Sequence, residues 1–290
     1  PPTTMVATGE QSTLVGAGSA ATDVAAAPAK AAPPTGAAAE APNTMAVADP
    51  APVDLVEQVK ALLSGASASK DRAGDAKALA EEATSVGVFS GNGLVKELKA
   101  TLADPAKNKA ASRETACHLV AALVTKLGAP SSPFLAGLIT DLVQLLADKG
   151  GKSVTIAAMA AAKELTTPCS AQAKKMVILP QLVTALGQDS KWQVQAGALE
   201  LIIKIAGEAP QEMGTSMPDL VSAISPLMCH AKAQVSGPAL KAMQDLCSVI
   251  ENSDIQPVVP DVISALKSPA EADECIFKLA AIVFVQQVEC

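Results

Sequence analysis

Beyond about residue 50, one arrangement of apolar and polar positions keeps returning along the chain. Pro260-Asp261-Val262-Ile263-Ser264-Ala265-Leu266 repeats Pro218-Asp219-Leu220-Val221-Ser222-Ala223-Ile224 at a distance of 42 residues, and Pro180-Gln181-Leu182-Val183-Thr184-Ala185-Leu186 stands 38 earlier. Thr140-Asp141-Leu142-Val143-Gln144-Leu145-Leu146 lies 40 before that, and fainter copies start at Asn92 and Val53. Each copy spaces apolar residues three and four apart, which gathers them on one face of a helix. A second pattern runs between the copies. Val154, Val194 and Val235 are followed four residues on by Ala158, Ala198 and Ala239, and seven beyond those by Leu165, Ile205 and Leu246. Ser112, Ala116 and Leu123 keep this frame, and Arg72, Ala76 and Ala83 keep it more loosely. The starts step by 40, 42, 40 and 41 residues. Offsets of four and seven again predict one helical face, and its alanines let neighbouring helices approach closely.

Each unit therefore reads as helix A, a turn, helix B and a second turn. One such hairpin cannot bury both faces, so the units must stack on one another. The expected fold is all-α: a right-handed α-solenoid of about six helical hairpins of the HEAT or armadillo kind over residues 51–290. The units are placed at about 52–84, 92–128, 131–167, 170–209, 211–250 and 256–288, with helices near 53–63 and 70–83 in the first and a B helix from Ala106 to Leu127 in the second.

Composition fits this. Hydrophobic residues make up 49% of the 290, but aromatics only 2%, so the core is built from Ala, Leu, Val and Ile. The formal charge of −7 argues against a nucleic-acid-coating surface as a whole, while leaving room for local lysine clusters. Six cysteines stand singly without a C-x-x-C pair, which reads as reduced thiols in a cytosolic protein. No run of about 18 apolar residues predicts a membrane span. Residues 1–50 are a different material, rich in Ala, Pro, Gly, Ser and Thr, with Lys30 the only base, and are expected to form a disordered tail or linker. An organelle transit peptide would carry arginine, which this tail lacks. Pro1 in place of an initiator Met is consistent with a missing start.

Motifs that imitate chemistry do not hold up. Gly16-Ala17-Gly18-Ser19-Ala20-Ala21 has no βαβ context for a dinucleotide fingerprint. Lys149-Gly150-Gly151-Lys152-Ser153 looks like the end of a phosphate loop, but the required earlier glycine is Leu146, inside an apolar helix. Gly150-Gly151 is read as a turn and Ser153 as a helix cap; Ser190 is the expected cap before Lys191-Trp192-Gln193. The pairs Cys117-His118 and Cys229-His230 sit nearly three repeats apart, too far for one shared metal. No catalytic constellation, cofactor site or small-molecule substrate site is expected.

The segment from about Ala106 to Val288 resembles the N-terminal HEAT-repeat region of fungal-type translation elongation factor 3. The likeness is carried by Lys152-Ser153-Val154, by Lys191-Trp192-Gln193 with Gly197-Ala198-Leu199-Glu200, by Glu208-Ala209-Pro210, and by Phe284-Val285 with Val288. Ser248-Val249-Ile250-Glu251-Asn252, with Asp254-Ile255 and the Pro260 helix, is also similar to a segment of the large HEAT-repeat activator of the general amino-acid control kinase. The resemblance implies a cytoplasmic translation-elongation factor whose HEAT region docks on the small ribosomal subunit, on its RNA and proteins. It implies ATP only through cassette domains that this chain does not contain, so the chain is expected to be a fragment or a shortened relative, monomeric and not itself an enzyme. Around Cys229-His230-Ala231-Lys232-Ala233 the family carries a tryptophan and more lysines, where this chain has Lys232 alone. The second resemblance implies a protein-interaction scaffold in translational control. Candidate contacts are Lys107, Lys109, Arg113, Lys149, Lys152, Lys174, Lys175, Lys191, Trp192 and Lys232, at helix starts and turns expected to stack along one edge. The bases at the start of the Ala106–Leu127 helix oppose its dipole, so helix stability does not account for them.

Overall fold

A computed structural model describes residues 55–104, 107–249 and 259–267, together with parts of 274–280. The tail predicted over 1–50 and most of the sixth unit's second helix lie outside the described residues. Among the described residues every regular element is helical. The first unit pairs α1 (Leu55–Gly65) with α2 (Arg72–Glu81), and the second pairs α3 (Gly93–Ala103) with α4 (Ala110–Leu127). The third begins with two short helices, α5 (Ser132–Leu135) and α6 (Ile139–Gln144), each followed by a 3-10 turn, and ends with α7 (Lys152–Thr166). The fourth has α8 (Ala171–Ala173), a π-turn at Lys174–Ile178, α9 (Leu179–Ala185) and α10 (Trp192–Glu208). The fifth has α11 (Pro210–Gly214), α12 (Met217–Ile224) and α13 (Ala233–Val249); α14 (Val259–Lys267) opens the sixth.

The second helices form one row and the first helices another. Neighbours α2 and α4, α4 and α7, and α10 and α13 pack along their lengths. The contact is made through the predicted frame: Ala76, Ala116, Ala158, Ala198 and Ala239 are all fully buried, as are Val154, Val194 and Val235. A methyl group at each crossing lets two helix axes come close, and the larger Leu123, Leu165, Ile205 and Leu246 fill the space toward the first-helix row. Each such burial is worth about 1.5–3 kcal/mol. Ser112 replaces valine in its unit and is used across the repeat boundary, where its hydroxyl donates to the Leu63 carbonyl at 2.7 Å. Phe89, on a 3-10 segment over Val86–Asn92 that the periodicity does not predict, stacks on Phe134 with ring centroids 5.0 Å apart.

The row is not uniform. Helices α7 and α10 touch only sparsely, because Leu146 from the end of the third unit's first-helix segment enters between them. Gly197 makes this possible: a Cβ there would stand 2.0 Å from Leu146 Cδ1. The π-turn ahead of α9 has an equally local cause. Pro180 has no N–H to return to the Met176 carbonyl of the preceding turn, and next to it the Gln181 side chain donates to the Val177 carbonyl at 2.7 Å.

Candidate functional site

The starts of the second helices carry an unusual choice of residue. A helix leaves its first N–H groups unpaired, and Ser, Thr, Asp or Asn at the N-cap supplies an acceptor. The chain does this at α2, where the Asp71 carboxylate accepts from Gly74 N at 2.9 Å, and at α8, where Ser170 accepts from Ala173 N. It does not do so at the next three second helices. The N-caps are Lys109 for α4, Gly151 for α7 and Lys191 for α10, none with a side-chain capping bond. Lys232 stands in the same register before α13, its carbonyl accepting from Ser236 N at 3.1 Å. Lys149 and Lys152 flank the glycine cap of α7 and are exposed. Forgoing a polar cap costs about 0.5–2 kcal/mol, and placing a cation at the positive end of the helix dipole adds to that cost. Ser153 and Ser190, the caps expected from sequence, are not the caps: Ser153 lies inside α7 and donates to Glu114 at 2.9 Å, and Ser190 stands one residue ahead of the N-cap Lys191.

Three of these lysines share hollows on one edge. Lys149 and Lys191 line a cavity of about 750 Å³ together with Asp141 and Gly150. Lys191, Trp192, His230 and Lys232 line the next, of about 550 Å³. The Lys232 ammonium lies 5.2 Å from the Trp192 ring centroid, and His230 Nδ1 accepts the Lys232 backbone N–H at 3.1 Å. Burial pushes the Asp141 carboxyl above its ordinary value, with Lys99 offsetting part of the effect. Beneath the edge lies a buried ion pair: Arg113 Nη2 donates to Asp148 Oδ1 at 2.7 Å, and the two side chains are 4% and 1% exposed. Asp148 Oδ1 also accepts from Gly150 N, and Arg113 Nη1 from its other arm donates to the Asn108 carbonyl. This explains the double glycine. A Cβ on Gly150 would lie 2.6 Å from Arg113 Nη2 and 2.7 Å from Asp148 Oδ1, and Gly151 has φ of +138°, which disfavours any side chain. The glycines accommodate a salt bridge and a turn, not a phosphate.

The family model described as EF3 N-terminal HEAT repeat matches residues 72–243. The chain belongs to the EF3 N-terminal HEAT repeat family. Elongation factor 3 of Phytophthora infestans is 33% identical over 183 residues, covering 63% of this chain and 17% of that protein. The human stalled ribosome sensor GCN1 is 28% identical over 210 residues, covering 70% of this chain and 8% of that protein. Both families that the sequence resembles are thus represented. The chain spans 8–20% of the length of the curated relatives it matches. Among solved structures, a TOG domain of Crescerin superposes with a TM-score of 0.55 at 16% identity over 80% of this chain and 90% of that chain, a likeness of fold.

In this EF3-type HEAT region, not all ten candidate residues stand together. Arg113 is buried in its ion pair and cannot serve as a surface contact. Lys174 is equally enclosed, 6% exposed and bonded to Glu208 at 2.7 Å. Lys175 donates to Thr215 at 2.6 Å. The expectation that all helix starts share an edge fails for a geometric reason. The two helices of a hairpin run in opposite directions, so first helices start where second helices end. Lys174 meets Glu208, the last residue of α10, at the edge opposite Lys191. Lys107 precedes α4 instead of lying within it, and pairs with Asp104 at 3.1 Å while remaining 84% exposed. Lys109 and Lys152 are exposed at the starts of α4 and α7. Sequence reasoning overlooked Asp148 and weighed His230 only as a metal ligand. A signal for the first existed: Asp104 and Asp148 follow their first helices in like position, and each accepts from a backbone N–H two or three residues on.

Proposed function

We propose that this HEAT region docks on the ribosome, on RNA of the small subunit and the proteins beside it, as part of a cytosolic factor acting in translation elongation. The observation that carries the reading is the run of basic N-caps at Lys109, Lys191 and Lys232, with Lys149 and Lys152 around the intervening glycine cap. Four second-helix starts add their dipoles to these charges, and the combination favours a polyanion. It occurs on a chain whose formal charge is −7, so the positive edge is a local feature and not a consequence of composition. The names elongation factor 3 and stalled ribosome sensor, borne by relatives, support the same direction. No step of catalysis is assigned to the chain; any ATP hydrolysis would belong to other domains.

The test is sedimentation of the chain with separated ribosomal subunits over a salt series. Pelleting with the small subunit, weakening as salt rises, is the expected result, with the salt slope reduced in Lys149→Glu, Lys152→Glu and Lys191→Glu variants. Pelleting unchanged by all three reversals would refute the assignment to this edge.

A further inference from the structure

The place where α7 and α10 stand apart is an open groove of about 880 Å³ on the outer side of the second-helix row. Its floor is Leu146 and Gly197; its walls are Ile156 and Met159 from α7 and Ala196 and Ile203 from α10. Ile156 is 60% exposed, a large aliphatic side chain with little cover from its own chain. At one end the groove is closed by the Lys163–Glu200 ion pair across the two helices, and one turn further Lys204 donates to Thr167 at 3.0 Å. The other end is open, toward the helix starts.

The charge around it is one-sided. Among the described residues lining the groove Glu200 is the single acidic one, and Lys163 occupies it. Lys241 lines the far wall on α13, which also presents the Gly237-Pro238 pair. At the open end Lys152 lies one helical turn before Ile156 on the same face of α7, and Lys232 sits over Trp192, itself a lining residue. Gly237 is a helical glycine with nothing among the described residues within 4 Å of where a Cβ would be, so packing among those residues does not account for it. It leaves a bare stretch of helix backbone facing the groove. A nucleic acid would gain little here: the floor is aliphatic, and a face of the one aromatic ring is covered by Lys232.

We propose that the groove between α7 and α10 binds a protein segment, a short amphipathic helix whose aliphatic or aromatic side chains enter the groove and whose acidic residues meet Lys152, Lys232 and Lys241. The recognition is of the helix-in-groove kind, with anchors at i, i+3 or i+4, and i+7. It shares Lys152 and Lys232 with the charged edge proposed for ribosome docking, but that docking needs none of the aliphatic walls.

Trp192, the only tryptophan in the chain, lines the groove and reports its occupation. The full chain is titrated with a synthetic helix bearing Leu at anchor spacing and Glu on its flanks, with a Lys-flanked copy and a scrambled copy as controls. The expected result is a saturable shift of Trp192 emission with the Glu-flanked helix, at least about tenfold weaker with either control. Ile156→Glu, at a surface position that cannot disturb the core, and Ala196→Leu, which fills the groove, are each expected to weaken binding on the order of tenfold. Both variants retain small-subunit pelleting, whereas Lys149→Glu affects pelleting and leaves the peptide titration unchanged; the two readings therefore fail separately. No emission change with the Glu-flanked helix, equal response to the Lys-flanked copy, or undiminished binding by both groove variants would overturn the proposal.

Discussion

Removing the carboxylate of Asp148 is the sharpest probe of what holds the lysine edge in place. At 2.7 Å from Arg113 Nη2, with both side chains nearly inaccessible, the attraction is about 6 kcal/mol at an effective dielectric near 20. Bringing each ion out of water costs several kcal/mol, so the intact pair is close to break-even. Breaking it is a different matter. Asp148→Ala leaves the guanidinium buried without its carboxylate and frees the Gly150 N–H, and the expected loss is about 3–5 kcal/mol. At about 2–4 °C per kcal/mol for a folded region of this size, the thermal midpoint falls by about 6–20 °C, read by far-ultraviolet circular dichroism. Because the pair is enclosed, the loss persists when salt is raised to about 0.5 M, unlike the loss of a surface pair. Arg113→Met with Asp148→Leu removes both charges and is expected to recover most of the stability. A loss below about 1 kcal/mol for Asp148→Ala, or a double variant no more stable than the single, would refute the reasoning.

Other expectations follow from the same structure. Gly150→Ala drives a methyl into the Arg113–Asp148 contact and is expected to cost about 1–3 kcal/mol, while Gly137→Ala, with nothing within 4 Å, stays within about 0.5 kcal/mol of the parent; paired chemical melts compare them. Burial raises the thiol of Cys117 to about 12 and that of Cys247 to about 11, so alkylation of the native chain near neutral pH, mapped by mass spectrometry, should leave both unmodified and, among the cysteines of the described residues, label the half-exposed Cys229 first. Burial alone would raise the Glu208 carboxyl, but its bonds to Lys174 and Lys204 bring the net value below 4.5. A carboxyl lowered in the folded state stabilises fully above its unfolded value and loses that contribution as pH falls through the folded one. The stability gap between parent and Glu208→Gln is therefore expected to be constant above about pH 5 and to shrink below 4.5; a gap that widens on acidification contradicts the pairing.

Much of the fold was legible because a solenoid is nearly one-dimensional. The alanine frame from Ala76 to Ala239 is written at a fixed step, and a helical face at that step leaves one way to stack the units. What periodicity could not see was local: the 3-10 segment carrying Phe89, and helix starts moved by a few residues where lysine, not serine, is the cap. The lysines themselves were found, but not their surroundings. Arg113, Lys149 and Lys174 look alike along the chain, yet Arg113 and Lys174 are buried, the latter at the opposite edge, while Lys149 lies exposed on the edge, because the partners of the two buried ones, Asp148 and Glu208, are 35 and 34 residues distant.

The sequence by itself determined the all-α stacked hairpins and the alanine–leucine core, since both depend on side chains three, four and about 40 residues apart, and its motif strings carried the resemblance to the family. Only the tertiary structure decided which charges remain available, why Gly150 and Gly151 are glycines, and that α7 and α10 part to open a groove. Those outcomes depend on long-range contacts, such as Leu146 meeting Gly197 across 51 residues, in which the direction of a helix and the volume of one side chain matter more than its place in the repeat.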